Sequence, residues 1–192
     1  MHGRHRTLAF LTVAVVGLAT AGCGDTDGAD PAEPPTTAPA AVAETNPPAA
    51  DDADELPVPE TLAFTAATID GGEFDGAQVA GSPVAFWFWA AWCSRCAAAA
   101  GDIREIQAAY AGQVEVVGVA GLGSGADGMR TFVAQHQLDD FPHLADDTGE
   151  VWQRFEVTTQ EYFVILDAAG ELVFEGTLTA DALRDRLDGL VG

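Results

Sequence analysis

From Leu62 onward the apolar residues of this chain fall into short runs, and their spacing alternates between the period of a strand and that of a helix. Residues 62–69 and 73–79 are short segments parted by Asp70-Gly71-Gly72, a turn signal suited to a β-hairpin. Gly81-Ser82-Pro83 then precedes residues 84–89, Val-Ala-Phe-Trp-Phe-Trp, apolar at every position. A strand with both alternating faces apolar belongs in the middle of a sheet covered on both sides. After Cys96, an alanine-rich stretch with Ile103, Ile106 and Tyr110 at helical spacing predicts a helix that ends before Gly112. Residues 114–119 predict a second, parallel strand. Asp127 is expected to cap a helix whose Met129, Phe132, Val133 and His136 share a face. A short helix around Val151, Trp152 and Phe155 follows. Strands at 162–166 and 171–175 are joined by Asp167-Ala168-Ala169-Gly170, and Thr179 caps a last helix with Leu183, Leu187 and Leu190 toward the sheet. The order predicts an α/β sandwich: a central mixed β-sheet flanked by helices, with an N-terminal β-hairpin.

The first sixty residues lack this patterning. His2, Arg4, His5 and Arg6 form a basic head, and residues 7–21 are uncharged and mostly apolar. That length suits a secretory signal over residues 1–22 and falls short of a spanning helix of ~20 residues. Leu18-Ala19-Thr20-Ala21-Gly22-Cys23 resembles the lipobox of bacterial lipoproteins, with Thr20 where that family prefers leucine. The resemblance implies a lipid on Cys23; ordinary cleavage nearby, leaving a secreted protein, is the alternative. Residues 23–60 are rich in Pro, Ala, Thr, Asp and Glu and hold no basic residue. Such a segment buries too little apolar surface to offset the entropy of ordering, so it is expected to be a disordered acidic tether. Residues 61–192 suffice for one domain with its own core.

Charge narrows the partners. Every one of the 8 basic residues is arginine, against 30 acidic residues, for a net charge of -22. Removal of the signal takes Arg4 and Arg6 with it. So acidic a chain excludes nucleic acid and anionic lipid headgroups as electrostatic partners.

The chemistry concentrates at Trp92-Cys93-Ser94-Arg95-Cys96, directly after the apolar strand. The chain has 3 cysteines. With Cys23 lipidated, the other two form a closed set in an oxidising compartment, as a small disulfide or a dithiol. Cys93 falls where a strand gives way to a helix, so unpaired amides and the helix dipole stabilise a thiolate there. Arg95 adds a positive charge, and both effects lower a thiol pKa. Cys96, one turn further in, is placed to resolve a mixed disulfide on Cys93.

Phe88-Trp89-Ala90-Ala91-Trp92-Cys93-Ser94-Arg95-Cys96, with the β-β-α ending around Asp167 and Gly170, resembles the exported thioredoxin-like proteins of the TlpA/DsbE redoxin family. The resemblance implies a thioredoxin-like domain and a thiol–disulfide oxidoreductase with Cys93 as nucleophile, Cys96 as resolving thiol and Arg95 as thiolate stabiliser. It implies Trp92, Gln160 and Glu161 at the substrate surface, and no cofactor. Its expected partners are thiols or disulfides of exported proteins and a membrane redox partner, at the outer face of the cell membrane or in the secreted fraction. The chain departs from the family at three positions. Ala99 and Gly101 stand where an acid and a proline are usual, and Glu161 stands where a cis-proline faces the dithiol, which puts catalytic efficiency in question.

Other signals are weaker. Cys93, Cys96 and His143 together suit a soft metal, so a copper chaperone or metal-binding lipoprotein is the alternative reading. A structural zinc lacks its second cysteine pair. The glycine-rich run at 121–128 contains no Lys or Arg and has the wrong spacing for a phosphate loop, so it is expected to be a flexible connection.

Overall fold

The computed structural model of the protein describes residues 57–192. The expected signal, the lipid site at Cys23 and nearly all of the tether lie outside the described residues. Packing begins ahead of Thr61: Val58 lies against the core, and the Arg154 guanidinium reaches back to the carbonyls of Glu60, Thr61 and Ala63.

The central strand is the expected one. β3 (Val84–Trp89) is buried at all six positions. It pairs in parallel with β4 (Glu115–Ala120) and antiparallel with β6 (Tyr162–Leu166). β5 (His143–Ala145) extends the sheet beyond β4, and β7 (Leu172–Gly176) extends it beyond β6, giving the order β5-β4-β3-β6-β7. Alternate residues of β3 enter two different cores. Ala85, Trp87 and Trp89 join a cluster with α1 (Ser94–Ala109), α2 (Ala126–His136) and α4 (Ala180–Val191). Val84, Phe86 and Phe88 join a second cluster with Trp152 of α3 (Glu150–Arg154) and Phe74 of the hairpin. Burying each of these large side chains stabilises the fold by about 1.5–3 kcal/mol, so β3 is the most firmly held element next to the cysteines.

The hairpin is present but short. β1 (Thr65–Ala67) and β2 (Glu73–Asp75) form a separate antiparallel pair. Leu62 and Val79 belong to flanking 3-10 turns instead of the expected longer strands. The pair docks on β5, where Thr68 bridges to Leu144 and the Ile69 amide donates to the His143 carbonyl at 2.9 Å. β5 itself was not anticipated. Three residues after a proline carry too little alternation to mark a strand.

Two local expectations are corrected. Asp127 does not cap α2; Gly125 does, and Asp127 sits in the first turn paired with Arg130. Nor is the run at 121–128 a loose connection. The Asp147 carboxylate accepts from the amides of Ser124 (3.0 Å) and Gly125 (2.8 Å). Ser124 Oγ donates to the Gly121 carbonyl at 2.6 Å and accepts from the Ala91 amide at 2.9 Å. Amides that would hold a phosphate in a nucleotide loop here hold the chain's own carboxylate, and the loop is pinned to the turn that precedes Cys93. Thr179 caps α4 as expected, accepting from the Ala182 amide at 3.3 Å, with Leu183 and Leu187 buried.

Candidate functional site

The site is assembled by the passage from β3 into α1. Trp89 ends the strand, the Cys93 amide donates to the Ala90 carbonyl at 3.0 Å, and α1 starts at Ser94. Cys93 is the N-cap, and its Sγ accepts from the Cys96 amide at 3.1 Å. A sulfur thus takes the place of the usual capping oxygen at the positive end of a 16-residue helix with no acid in its first turn. Cys93 and Cys96 form a disulfide with Cα atoms 5.3 Å apart. Both cysteines are buried, Cys93 at 4% exposure and Cys96 at 0%.

Three segments frame the disulfide. Trp92 is 58% exposed, and its indole N–H donates to the Leu122 carbonyl at 2.9 Å. Leu122, also exposed, takes a positive φ of 56° in the loop after β4, so two exposed apolar residues meet where that loop contacts the residue before Cys93. On the other side, Arg95 Nη2 donates to the Gln160 carbonyl at 3.3 Å, which ties the cysteine loop to the segment entering β6. Glu161 follows Gln160 with a positive φ of 57°, and its amide donates to the Phe88 carbonyl at 2.9 Å. Its side chain is only 8% exposed, and Oε2 accepts from Trp87 Nε1 at 3.2 Å. Burial raises the Glu161 pKa above the ordinary carboxylate range, while the Trp87 hydrogen bond and the Arg95 charge act to lower it. Glu161 borders a cavity of about 20 Å³ shared with Ala99, Asp102 and Ile103 of α1 and Thr179 ahead of α4.

Of the described residues singled out from the sequence, Trp92, Cys93, Arg95, Cys96 and Gln160 adjoin at one surface. Glu161, expected at that surface, buries its carboxylate against Trp87. His143 is instead a core residue of β5. Its Nδ1 accepts from Trp89 Nε1 at 3.2 Å, and its Nε2 faces the Leu138 carbonyl at 3.0 Å. Both ring nitrogens are engaged inside the protein, and burial pulls the pKa from 6.5 down to about 4. Among the described residues no group of three or more His, Cys, Asp or Glu side chains is arranged to hold a metal ion. The copper triad accordingly loses its third ligand. A groove of about 580 Å³ between the hairpin turn, α2 and the segment before β5 contains none of the residues at the disulfide.

Leu122, Ser124 and Asp147 are the members of the site that sequence reasoning missed. For Leu122 and Ser124 the signal available was the glycine-rich run after β4, whose spacing suggested only a flexible connection; Asp147 lies outside that run.

Comparison with known proteins bears directly on this arrangement. The model of the AhpC/TSA family matches residues 57–175. The soluble secreted antigen MPT53 of Mycobacterium tuberculosis is 38% identical over 134 residues, covering 69% of this chain and 75% of the antigen. The structure of M. tuberculosis DsbF in mixed oxidised and reduced forms superposes with a TM-score of 0.65 at 36% identity, covering 69% of this chain and 98% of DsbF. A secreted M. tuberculosis disulfide oxidoreductase homologous to Escherichia coli DsbE gives a TM-score of 0.63 at 34% identity, covering 68% and 98% of the two chains. The thioredoxin-like fold is therefore shown.

Proposed function

The chain belongs to the AhpC/TSA family, with thioredoxin-like disulfide oxidoreductases among its relatives, and from that premise we propose that it exchanges disulfides with cysteines of other exported proteins. The observation that carries this reading is the Cys93–Cys96 disulfide seated at the N-terminus of α1, with the Cys96 amide directed at Cys93 Sγ. On reduction that amide and the helix dipole stabilise a thiolate on Cys93. The thiolate attacks a client disulfide, forms a sulfur–sulfur bond to one client cysteine and releases the other as a thiolate. Cys96 then loses its proton and attacks Cys93, which restores the internal disulfide and frees the second client thiol. The reverse sequence oxidises a client dithiol, and the geometry serves both directions.

Arg95 contributes positive charge to the loop while holding Gln160, and Trp92 with Gln160 presents the surface on which client backbone rests. The apolar pair Trp92 and Leu122 favours clients whose cysteines are flanked by apolar residues, as in unfolded exported chains. Lipid on Cys23 would hold the domain at the outer face of the membrane near a membrane redox partner; secretion is the other outcome. Mass spectrometry of the mature N-terminus separates them, since a diacylglyceryl mass on Cys23 supports the anchor and an unmodified terminus removes it.

Exchange is tested with glutathione. Cys93→Ser is expected to abolish it, and Cys96→Ser to accumulate a mixed disulfide on Cys93. A Cys93→Ser chain that still exchanges through Cys96 would refute the assignment of the nucleophile.

A further inference from the structure

Glu161 is a buried carboxylate for which disulfide exchange as described above has no use. Its surroundings relate it to the dithiol. Trp87, which donates to its Oε2 at 3.2 Å, packs in the same apolar cluster as Cys93 and Cys96. Ala99, which borders the same small cavity as Glu161, stands three positions after Cys96 on α1, and residues three apart share a helix face. Arg95, between the two cysteines, reaches the carbonyl of the residue just before Glu161. Glu161 thus lines a small cavity with Ala99, Asp102 and Ile103 in the second and third turns of α1. The groups that act on its carboxylate are the Trp87 indole from β3 and the Arg95 charge from α1, with Asp102 of α1 and Thr179 ahead of α4 on the same cavity.

We propose that Glu161 is a positioning residue whose negative charge opposes the thiolate left on Cys93 by reduction, biasing the pair toward its disulfide, and that protonation of Glu161 lifts this bias. The inference rests on the oxidoreductase reading and adds to it a built-in pH dependence of redox poise. The chemistry is closed by glutathione. One glutathione thiolate attacks Cys93, the Cys93–Cys96 bond breaks, and Cys96 leaves and takes up a proton. A second glutathione attacks the mixed disulfide, forming oxidised glutathione and releasing Cys93 as the thiolate, so two electrons pass to the protein. Two negative charges in a partly buried site repel, so an ionised Glu161 raises the thiol pKa and lowers the yield of the reduced form. Arg95 offsets part of this repulsion.

Trp87 needs an acceptor at this position, and a glutamine amide oxygen supplies one. Glu161→Gln therefore keeps the hydrogen bond while removing the charge. The experiment uses the full chain carrying Cys23→Ser, so that only the Cys93–Cys96 pair titrates, with and without Glu161→Gln. At neutral pH, equilibration with glutathione is expected to favour the reduced form of the Gln variant by about tenfold. The Cys93 thiolate absorbance is expected to titrate at correspondingly lower pH. Lowering the pH through the Glu161 titration should close the gap. Equal equilibria and equal thiol titrations in the two chains would overturn the proposal and leave Glu161 as an acceptor for Trp87. Absence of exchange in both chains would overturn the oxidoreductase reading and this inference with it. A second measurement needs no substitution at Glu161: its carboxyl carbon-13 resonance should titrate at higher pH in the reduced protein than in the oxidised one. Identical titrations would refute the coupling.

Discussion

His143 shows how a polar side chain is kept neutral inside this fold. Desolvation lowers its pKa to about 4, with the Leu138 carbonyl and Asp139 acting in the opposite direction. The neutral ring is what the folded state prefers, so its stabilising effect is complete above the ordinary value of 6.5 and is lost as pH falls from there through about 4. The loss amounts to roughly 3 kcal/mol if the whole shift is realised. Urea denaturation across that window is expected to show a steeper decline for the native chain than for His143→Gln; parallel slopes would place the pH dependence elsewhere. Trp92 behaves oppositely. It is exposed, so Trp92→Ala should leave stability within ~0.5 kcal/mol while slowing reduction of an unfolded disulfide client several-fold in a turnover assay. What was legible at this scale was the chemistry carried by local spacing: Cys93, Cys96 and the flanking Trp92. Glu161 was legible as a departure, but its burial against Trp87 joins residues 74 positions apart, a relation no local pattern encodes. The engagement of His143 with Trp89 across 54 positions was hidden for the same reason.

Among the elements, α3 depends on a single carboxylate. Asp146 accepts from the amides of Glu150 (2.8 Å), Val151 (2.8 Å) and Trp152 (2.9 Å), and its side chain is buried. Removing it strands amide donors at the start of a helix of five residues, a loss of ~2–4 kcal/mol when several buried charge-assisted bonds go together. Asp146→Ala should therefore lower the melting temperature far more than Asp127→Ala, whose carboxylate is solvent-exposed; equal effects would contradict this account of the capping. A close approach at β4 makes a parallel point. A Cβ on Gly118 would collide with His143 Nδ1 and come within 2.9 Å of Trp89 Nε1, so Gly118→Ala is expected to disrupt the β4–β5 contact. The long elements were readable because strand and helix periods persist through them, as in the fully apolar β3 and the Leu183–Leu187 face of α4. β5 escaped because it has three residues and is set by pairing with β4 and by the docked hairpin. The cap of α2 was misplaced because Asp147, not a residue adjacent to the helix, satisfies the amides ahead of it.

For the molecule as a whole, two apolar layers fix β3, and β3 fixes the disulfide. The acidic charge disfavours anionic surfaces, and among the described residues no helix is long and apolar enough to cross a membrane. The central claim is that Cys93–Cys96 is an exchangeable pair and not a fixed cross-link. Redox titration of the full chain in glutathione buffers, followed by alkylation of the free thiols, tests it most directly. The pair is predicted to interconvert reversibly with a potential between about -120 and -270 mV, the span of thioredoxin-fold oxidoreductases. A pair that stays oxidised below about -300 mV, as structural disulfides do, would contradict the account.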